Sequence, residues 1–171
     1  MTPDTLHPLL TANLQFPPEY QDQLSNHLPM ALHALSALGA PEARLRSFFD
    51  RYAQRFGDAR APQAAAAALD WRALRAQPAA YAALCASFAA MIDAIGVDAT
   101  LRRTLPDLWP GVAAAAFHGL IRTAHAVQGG HPGELAHALA YWAWRWQRRR
   151  RGARTRRWGC WGCRSWSVFC A

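Results

Sequence analysis

The chain has 171 residues, of which 52% are hydrophobic, and this is enough for the core of one globular domain. Its net charge of +8 is uneven, because residues 1–144 hold 10 Arg against 11 acidic residues, whereas residues 145–171 hold 9 Arg and no acidic residue. The body is therefore close to neutral, and binding of nucleic acid through charge is excluded for it and open only for the C-terminal part.

The first half predicts helices separated by proline and glycine. Four prolines in residues 1–20 predict an irregular lead-in. From Tyr20, leucines recur at spacings of three and four residues, which predicts a helix that Pro29 either starts or kinks. Pro41 opens a second helix, which stops at Gly57. Residues 58–70 predict a linker or a weak helix.

The second half continues the helical pattern. A helix is predicted from about Pro78 to Ile95, followed by Gly96 and a short helix over 98–105. Further helices are predicted over 110–127 and from about residue 132 onward. Because Ala is abundant and no strand pattern is found, we predict an all-α fold, a multi-helix bundle-like array, with a domain at 1–143 and a disordered basic tail at 144–171.

Four of the seven histidines lie in two apolar stretches. The stretch NHLPMALHAL at 26–35 contains His27 and His33, and FHGLIRTAHAV at 117–127 contains His118 and His125 on one helix face. Such residues are often hydrogen-bonded core residues. Alternatively, two packed helices point the four rings at one metal ion, although neither stretch contains a carboxylate or a standard metal-binding spacing.

Two polar neighbours accompany these histidines. Arg122 lies on the helix face of His118 and His125, and it is either a clamp for an anionic ligand or an arginine at the surface or paired with a nearby acid. Asn26 either caps a helix or orients an imidazole. The sequence contains no glycine-rich phosphate loop and no serine-nucleophile motif.

The order of several motifs resembles the questin oxidase-like family. These motifs are FPPEY at 16–20, NHLPMAL, ALxxLGA, FHGxIRxxHA and LAYW, and they extend from about residue 16 to residue 143. The resemblance implies an all-helical oxidoreductase that performs a Baeyer–Villiger-type or ring-cleaving oxygenation of an aromatic polyketide ketone or quinone, with NADPH as reductant.

The resemblance also implies a site. Some members are considered non-haem iron enzymes with a histidine-rich centre, which implies His27, His33, His118 and His125 as metal ligands. It implies His27, His118 and Arg122 as catalytic residues, with Arg122 stabilising a phenolate or enolate. The partner is a small aromatic substrate, with no nucleic acid or membrane for the body. Because family members are longer, we expect a truncated member, and a homodimer would cover an exposed core face.

The tail differs abruptly from the body. Arg, Trp, Gly and Cys dominate residues 144–171, and their codons are rich in G or C, so we expect an out-of-frame translation there. An alternative is a non-catalytic helical module whose basic tail binds nucleic acid or anionic membrane. Cys160 and Cys163 have CxxC spacing but lack the further ligands of a zinc site. The N-terminus has no signal-peptide pattern, so a cytoplasmic protein is expected.

Overall fold

The computed structural model describes residues 3–21, 23–63 and 70–147. In these ranges the chain is mostly α-helical and contains one small sheet, which confirms the predicted all-α class. Residues 64–69 and 148–171 lie outside the described residues. The basic tail was predicted at 144–171, and of these residues only 144–147 are described, with Trp144 as the last residue of the C-terminal helix. The CxxC spacing of the tail and its proposed binding of nucleic acid or membrane therefore stay predictions.

Seven α-helices and two short strands form the described part of the chain. In chain order they are α1 (Pro3–Asn13), β1 (Glu19–Tyr20), β2 (Leu24–Ser25), α2 (Leu28–Ala37), α3 (Glu42–Ala53), α4 (Trp71–Leu74), α5 (Tyr81–Leu108), α6 (His118–Gly129) and α7 (Pro132–Trp144). Strands β1 and β2 pair antiparallel as a minimal hairpin between α1 and α2.

The N-terminal region forms helix α1, so the prediction of an irregular lead-in was wrong. Helix α1 contains Pro8, whose missing N–H and ring cost about 3 kcal/mol in a helix interior. Leu6, Leu9 and Leu10 are buried on one face, and each buried leucine contributes about 1.5–3 kcal/mol, which outweighs that cost. The predicted helical start at Tyr20 was also wrong, because the hairpin occupies residues 19–25. Of the two alternatives for Pro29, the structure has the first, since Pro29 lies in the first turn of α2 and does not kink it.

The predicted stop at Gly96 is confirmed, because Gly96 interrupts α5 with φ +78° and ψ 169°. Few residues other than glycine adopt this conformation, so the stretch consists of two helical segments joined at that residue. By length and composition, the helical stretch Tyr81–Gly111 is apolar enough to cross a membrane, and 28% of its most apolar window is buried in the fold. The absence of a membrane contact stays a prediction.

Helix α7 lies at the centre of the fold. It packs against α5 on one side and α6 on another, and α2 packs against α6, with α1 and α3 beyond α2. Helix α7 has almost no solvent-exposed face, because its residues 134–136 and 138–143 are all buried. One apolar cluster surrounds α5 and α7, and a second joins α1, α2 and α3. The histidine-bearing helices α2 and α6 pack where these clusters meet.

Candidate functional site

Helices α2 and α6 bring the two histidine-bearing stretches side by side. His27 Nε2 lies 2.8 Å from His118 Nε2, and His33 Nδ1 lies 2.9 Å from His125 Nδ1. In both pairs the rings meet edge to face, with interplanar angles of 89° and 75°. Each histidine of one stretch therefore contacts one histidine of the other.

The hydrogen bonds of the first pair leave its facing nitrogens without a proton between them. His27 Nδ1 donates to the carbonyl oxygen of Ser25 at 2.6 Å, and His118 Nδ1 donates to that of Ala115 at 2.5 Å. A neutral imidazole carries one N–H, so both Nε2 atoms hold lone pairs that face each other. Their separation of 2.8 Å is a hydrogen-bond length, whereas two metal–nitrogen bonds of about 2.0–2.1 Å in tetrahedral geometry would place the nitrogens farther apart.

The second pair needs no cation. In the His33–His125 pair, one Nδ1 can donate to the other, because no carbonyl in the described residues fixes either tautomer. Burial, and then the neighbouring His125, lower the pKa of His33. The neutral form of His33 is therefore favoured.

The two pairs are separated along the helices. Seven residues of α-helix rise about 10.5 Å, so the pairs sit at successive levels of the α2–α6 interface. In the part of the chain that the structure describes, no three His, Cys, Asp or Glu residues form a group that could hold a metal ion. The four rings thus form two pairs, where the sequence suggested one possible centre.

A strained turn presents His118. Ala115, Ala116 and Phe117 have φ values of +47°, +51° and +67°, in the left-handed region, which costs about 1–2 kcal/mol per residue for L-amino acids. This turn precedes α6 and delays its start from the predicted residue 110 to His118. It also places the Ala115 carbonyl on His118 Nδ1. Strain of this kind concentrates at functional sites.

Arg122 is buried and paired. Its side chain is 3% exposed, and its Nε and Nη2 atoms donate to the two carboxylate oxygens of Glu134 at 2.6 and 3.0 Å. Burial alone would lower the pKa of Arg122, but the Glu134 carboxylate outweighs it and raises that pKa. The structure thus has the arginine paired with a nearby acid, which was the second alternative, and anion binding by Arg122 stays a prediction.

Two buried asparagines extend this polar layer. Glu134 accepts a long hydrogen bond from Asn13 Nδ2 at 3.5 Å, and Asn26 Nδ2 donates to Asn13 Oδ1 at 3.0 Å. Asn26 Oδ1 in turn accepts the Leu28 backbone N–H at 2.9 Å. Asn26 therefore caps the start of α2, one of its two predicted roles, and connects α2 through α1 to α7.

A family model described as questin oxidase-like matches residues 24–154. The chain belongs to the questin oxidase-like family. The matched segment contains all four predicted histidines and Arg122, and it extends past residue 143. No curated protein and no solved structure matched the chain.

The questin oxidase-like segment contains further polar residues that the sequence did not single out. His137 lies in ELAHALAYW, on α7, and its Nδ1 is 3.3 Å from the hydroxyl of Tyr81 on α5. Cys85, one turn further along α5, is half-buried, and burial raises the pKa of its thiol to about 12. The sequence signal that could have indicated His137 is a histidine inside an Ala-rich helical stretch.

Another histidine pair lies at the junction of α1 and α7. The rings of His7 and His131 meet edge to face, with centroids 5.2 Å apart. His7 Nε2 is 2.8 Å from the Gly129 carbonyl, and His131 Nδ1 accepts the Glu134 backbone N–H at the start of α7. Burial and His7 lower the pKa of His131. These contacts give both rings structural partners.

Proposed function

We propose that the chain is an oxidoreductase that oxygenates an aromatic polyketide ketone or quinone, by Baeyer–Villiger-type insertion or ring cleavage. Membership of the questin oxidase-like family supports this proposal at the level of oxidoreductase chemistry. The 2.8 Å contact between His27 Nε2 and His118 Nε2, with each Nδ1 on a backbone carbonyl, is the observation that carries the choice of site. A cytoplasmic location and a homodimer are further proposals.

NADPH is the proposed reductant. Oxygen insertion then balances as ketone, dioxygen, NADPH and a proton giving ester, NADP⁺ and water, so one oxygen atom enters the product. The reaction consumes a proton, and imidazole is the side chain that most readily holds and releases one near neutral pH. His27 is exposed and His118 half-buried, so the pair can exchange a proton with solvent.

Non-haem iron is the metal that the family resemblance implies, and it would supply activation of dioxygen. His27 and His118 would be the residues nearest to such a role, because each donates Nδ1–H to a backbone carbonyl as metal-binding histidines do. Their Nε2 atoms contact each other at 2.8 Å, however, so the arrangement described does not fit an iron ion. His33 and His125 fit it less well, since their Nδ1 atoms face each other. Two imidazoles are fewer protein ligands than iron sites use, and the described residues provide no third at this point.

Arg122 is the proposed anion-binding group. Its buried pair with Glu134 holds α6 against α7 beneath the histidine pairs. Stabilisation of a phenolate by Arg122 would require Glu134 to give up at least one of its two hydrogen bonds. In the arrangement described, Arg122 acts on the site by fixing the position of α6.

An oxygen-uptake assay tests the proposed function. The purified chain is supplied with 1,8-dihydroxyanthraquinone and NADPH, with and without ferrous iron, and dioxygen and NADPH consumption are followed together. We expect coupled consumption that falls at least about 100-fold in His27→Gln and His118→Gln, as is typical when an acid–base group is lost. Arg46→Gln, an exposed change on α3, is the control and should keep full activity. Equal activity in all four proteins would refute the site.

A further inference from the structure

The main chain of His27 is bound by a tyrosine from another helix. Tyr52 lies near the end of α3, and its hydroxyl oxygen accepts the His27 backbone N–H at 3.1 Å. His27 directly precedes the first residue of α2, where backbone N–H groups have no acceptor within the helix. The Tyr52 hydroxyl therefore connects α3 to the residue that supplies one half of the His27–His118 pair.

Three helices hold the short segment that presents His27. Ser25 Oγ hydrogen-bonds with the Tyr141 hydroxyl on α7 at 2.7 Å, and the side chain of Asn26 donates to α1. The bond from Tyr52 on α3 is the one that is made to His27 itself. Because the His27 ring is exposed, burial contributes little to its position, and the bonds of this residue have to set it.

The direction of the His27 ring follows from the backbone of the same segment. Nδ1 donates to the Ser25 carbonyl at 2.6 Å, which turns Nε2 toward His118 Nε2 at 2.8 Å. A backbone shift at His27 would therefore carry Nε2 with it. A shift of about 1 Å is enough to break a contact of hydrogen-bond length, and a misplacement of that size can cost about 100-fold in rate.

Contacts on several sides hold Tyr52 in place. Its ring packs against the buried Phe56 with centroids 5.9 Å apart, and the Arg55 guanidinium lies 4.8 Å from the ring centroid. Its hydroxyl oxygen lies 3.2 Å from that of Tyr20 in the hairpin. The oxygen that binds the His27 N–H is thus carried by a ring whose own position is fixed.

The Tyr52 hydroxyl keeps its proton at neutral pH. Burial, and then the neighbouring Tyr20, raise the pKa of Tyr52 to about 12. A neutral phenol has one hydrogen to donate and lone pairs to accept, so it can accept the His27 N–H and pair with Tyr20 at the same time. The contact therefore persists across the pH range in which imidazoles titrate.

We propose that Tyr52 is a positioning residue, whose hydroxyl holds the main chain of His27 so that His27 Nε2 meets His118 Nε2. This assignment rests on the proposed function for the role of the histidine pair. It goes further in making α3, which lies outside both histidine-bearing stretches, part of the construction of the site. Tyr52 acts only through His27 and does not contact His118.

Nuclear magnetic resonance of the full chain tests the geometry without turnover. Tyr52→Phe keeps the ring and removes the oxygen, and the matched control Tyr20→Phe removes the neighbouring hydroxyl, which has no bond to His27. We expect Tyr52→Phe to lose the nuclear Overhauser effect between the ring protons of His27 and His118. Exchange of the His27 amide hydrogen should become about threefold to tenfold faster, the contribution of one neutral hydrogen bond. Tyr20→Phe should change neither.

Kinetics test the consequence for the reaction. In the oxygen-uptake assay, Tyr52→Phe should lower kcat about 10-fold to 100-fold and leave KM for the quinone unchanged, whereas Tyr20→Phe should keep the wild-type kcat. A purely structural role would lower stability but not kcat per folded molecule. Circular dichroism measures the folded fraction, and Tyr52→Met, which also lacks the hydroxyl, replaces Tyr52→Phe if that variant does not fold.

The two measurements separate this proposal from the proposed function. Loss of the ring contact in Tyr52→Phe, without turnover in the wild type, would retain Tyr52 as the positioning residue of the pair and reject the oxygenation chemistry. Wild-type turnover with an unchanged ring contact and kcat in Tyr52→Phe would overturn the positioning role and retain the oxidoreductase. Equal losses in Tyr52→Phe and Tyr20→Phe would also overturn it, because the bond to His27 would then not be the cause.

Discussion

At the scale of single residues, the least replaceable interaction is the buried pair of Arg122 and Glu134. Their side chains are 3% and 2% exposed, so neither charge can be solvated when the other is removed. Glu134→Gln leaves the guanidinium buried without its counter-charge, and we expect a loss of about 3–5 kcal/mol in the free energy of unfolding. Urea denaturation measures this loss.

Glu42→Gln is the matched control for that change. Glu42 forms an exposed ion pair with Arg46 on α3, where solvent screens the charges. The urea unfolding midpoint of the Glu42→Gln variant should stay close to that of the wild type. Equal midpoints for Glu134→Gln and Glu42→Gln would show that the buried pair does not hold α6 and α7 together.

His137 should make the fold sensitive to acid. Its pKa is about 3 in the folded chain and about 6.5 in the unfolded chain, so the unfolded chain binds the proton more tightly. Stability is therefore complete above about pH 6.5 and is lost as the pH falls toward 3, by about 3–5 kcal/mol for this group. The groups that act on His137 are Tyr81, Arg122 and His131.

A comparison of two proteins isolates the contribution of His137. The free energy of unfolding is measured from pH 7 to pH 4 for the wild type and for His137→Gln, which cannot titrate. We expect the wild type to lose more stability than the variant over this range. Parallel curves would mean that His137 is not the buried neutral histidine described above.

At the scale of elements, α6 and α7 approach each other closely at Gly119. A Cβ at Gly119 would lie 2.8 Å from Trp142 Cβ and 2.9 Å from Trp142 Cα, so the backbone of α7 blocks it. Helix propensity alone predicts that Gly119→Ala stabilises α6 by about 1 kcal/mol. We expect the clash to dominate and the variant to lose about 1–3 kcal/mol in thermal or urea denaturation.

Ala124→Gly, on the exposed face of the same helix, provides the reference. This substitution lowers the helix propensity without altering a packing contact. It should cost about 1 kcal/mol in the free energy of unfolding. If Gly119→Ala raised the melting temperature instead, the close packing of α6 on α7 would be wrong, and with it the position of His118 at the first residue of α6.

The sequence predicted helices best where local signals and packing agree. Gly96, Pro29 and Pro132 mark real helix boundaries, because glycine and proline restrict the backbone whatever the tertiary context. The sequence-based prediction failed for α1, where three buried leucines outweigh the prolines. It also failed for the start of α6. No local pattern predicts that Ala115 and Ala116 adopt left-handed conformations, because alanine rarely does so.

The site was predictable in its members but not in its pairing. The spacing of His118 and His125 indicated a shared face, and the structure brings both against His27 and His33. Spacing could not distinguish one centre from two pairs, because that depends on which backbone carbonyls fix each imidazole. The partner of Arg122 lies twelve residues away on the next helix, so the sequence left its two roles open.

At the scale of the whole molecule, a buried polar layer separates two apolar clusters. Asn13, Asn26, Arg122 and Glu134 connect α1, α2, α6 and α7 between the two clusters.

The central claim is that this chain inserts oxygen from dioxygen into an aromatic carbonyl compound. Mass spectrometry of the product formed under isotope-labelled dioxygen, with NADPH and 1,8-dihydroxyanthraquinone, tests it most directly. The account predicts a product that gains one labelled oxygen atom and that disappears in His27→Gln and His118→Gln. A product whose added oxygen comes from water, or an unchanged substrate in every condition, would contradict it.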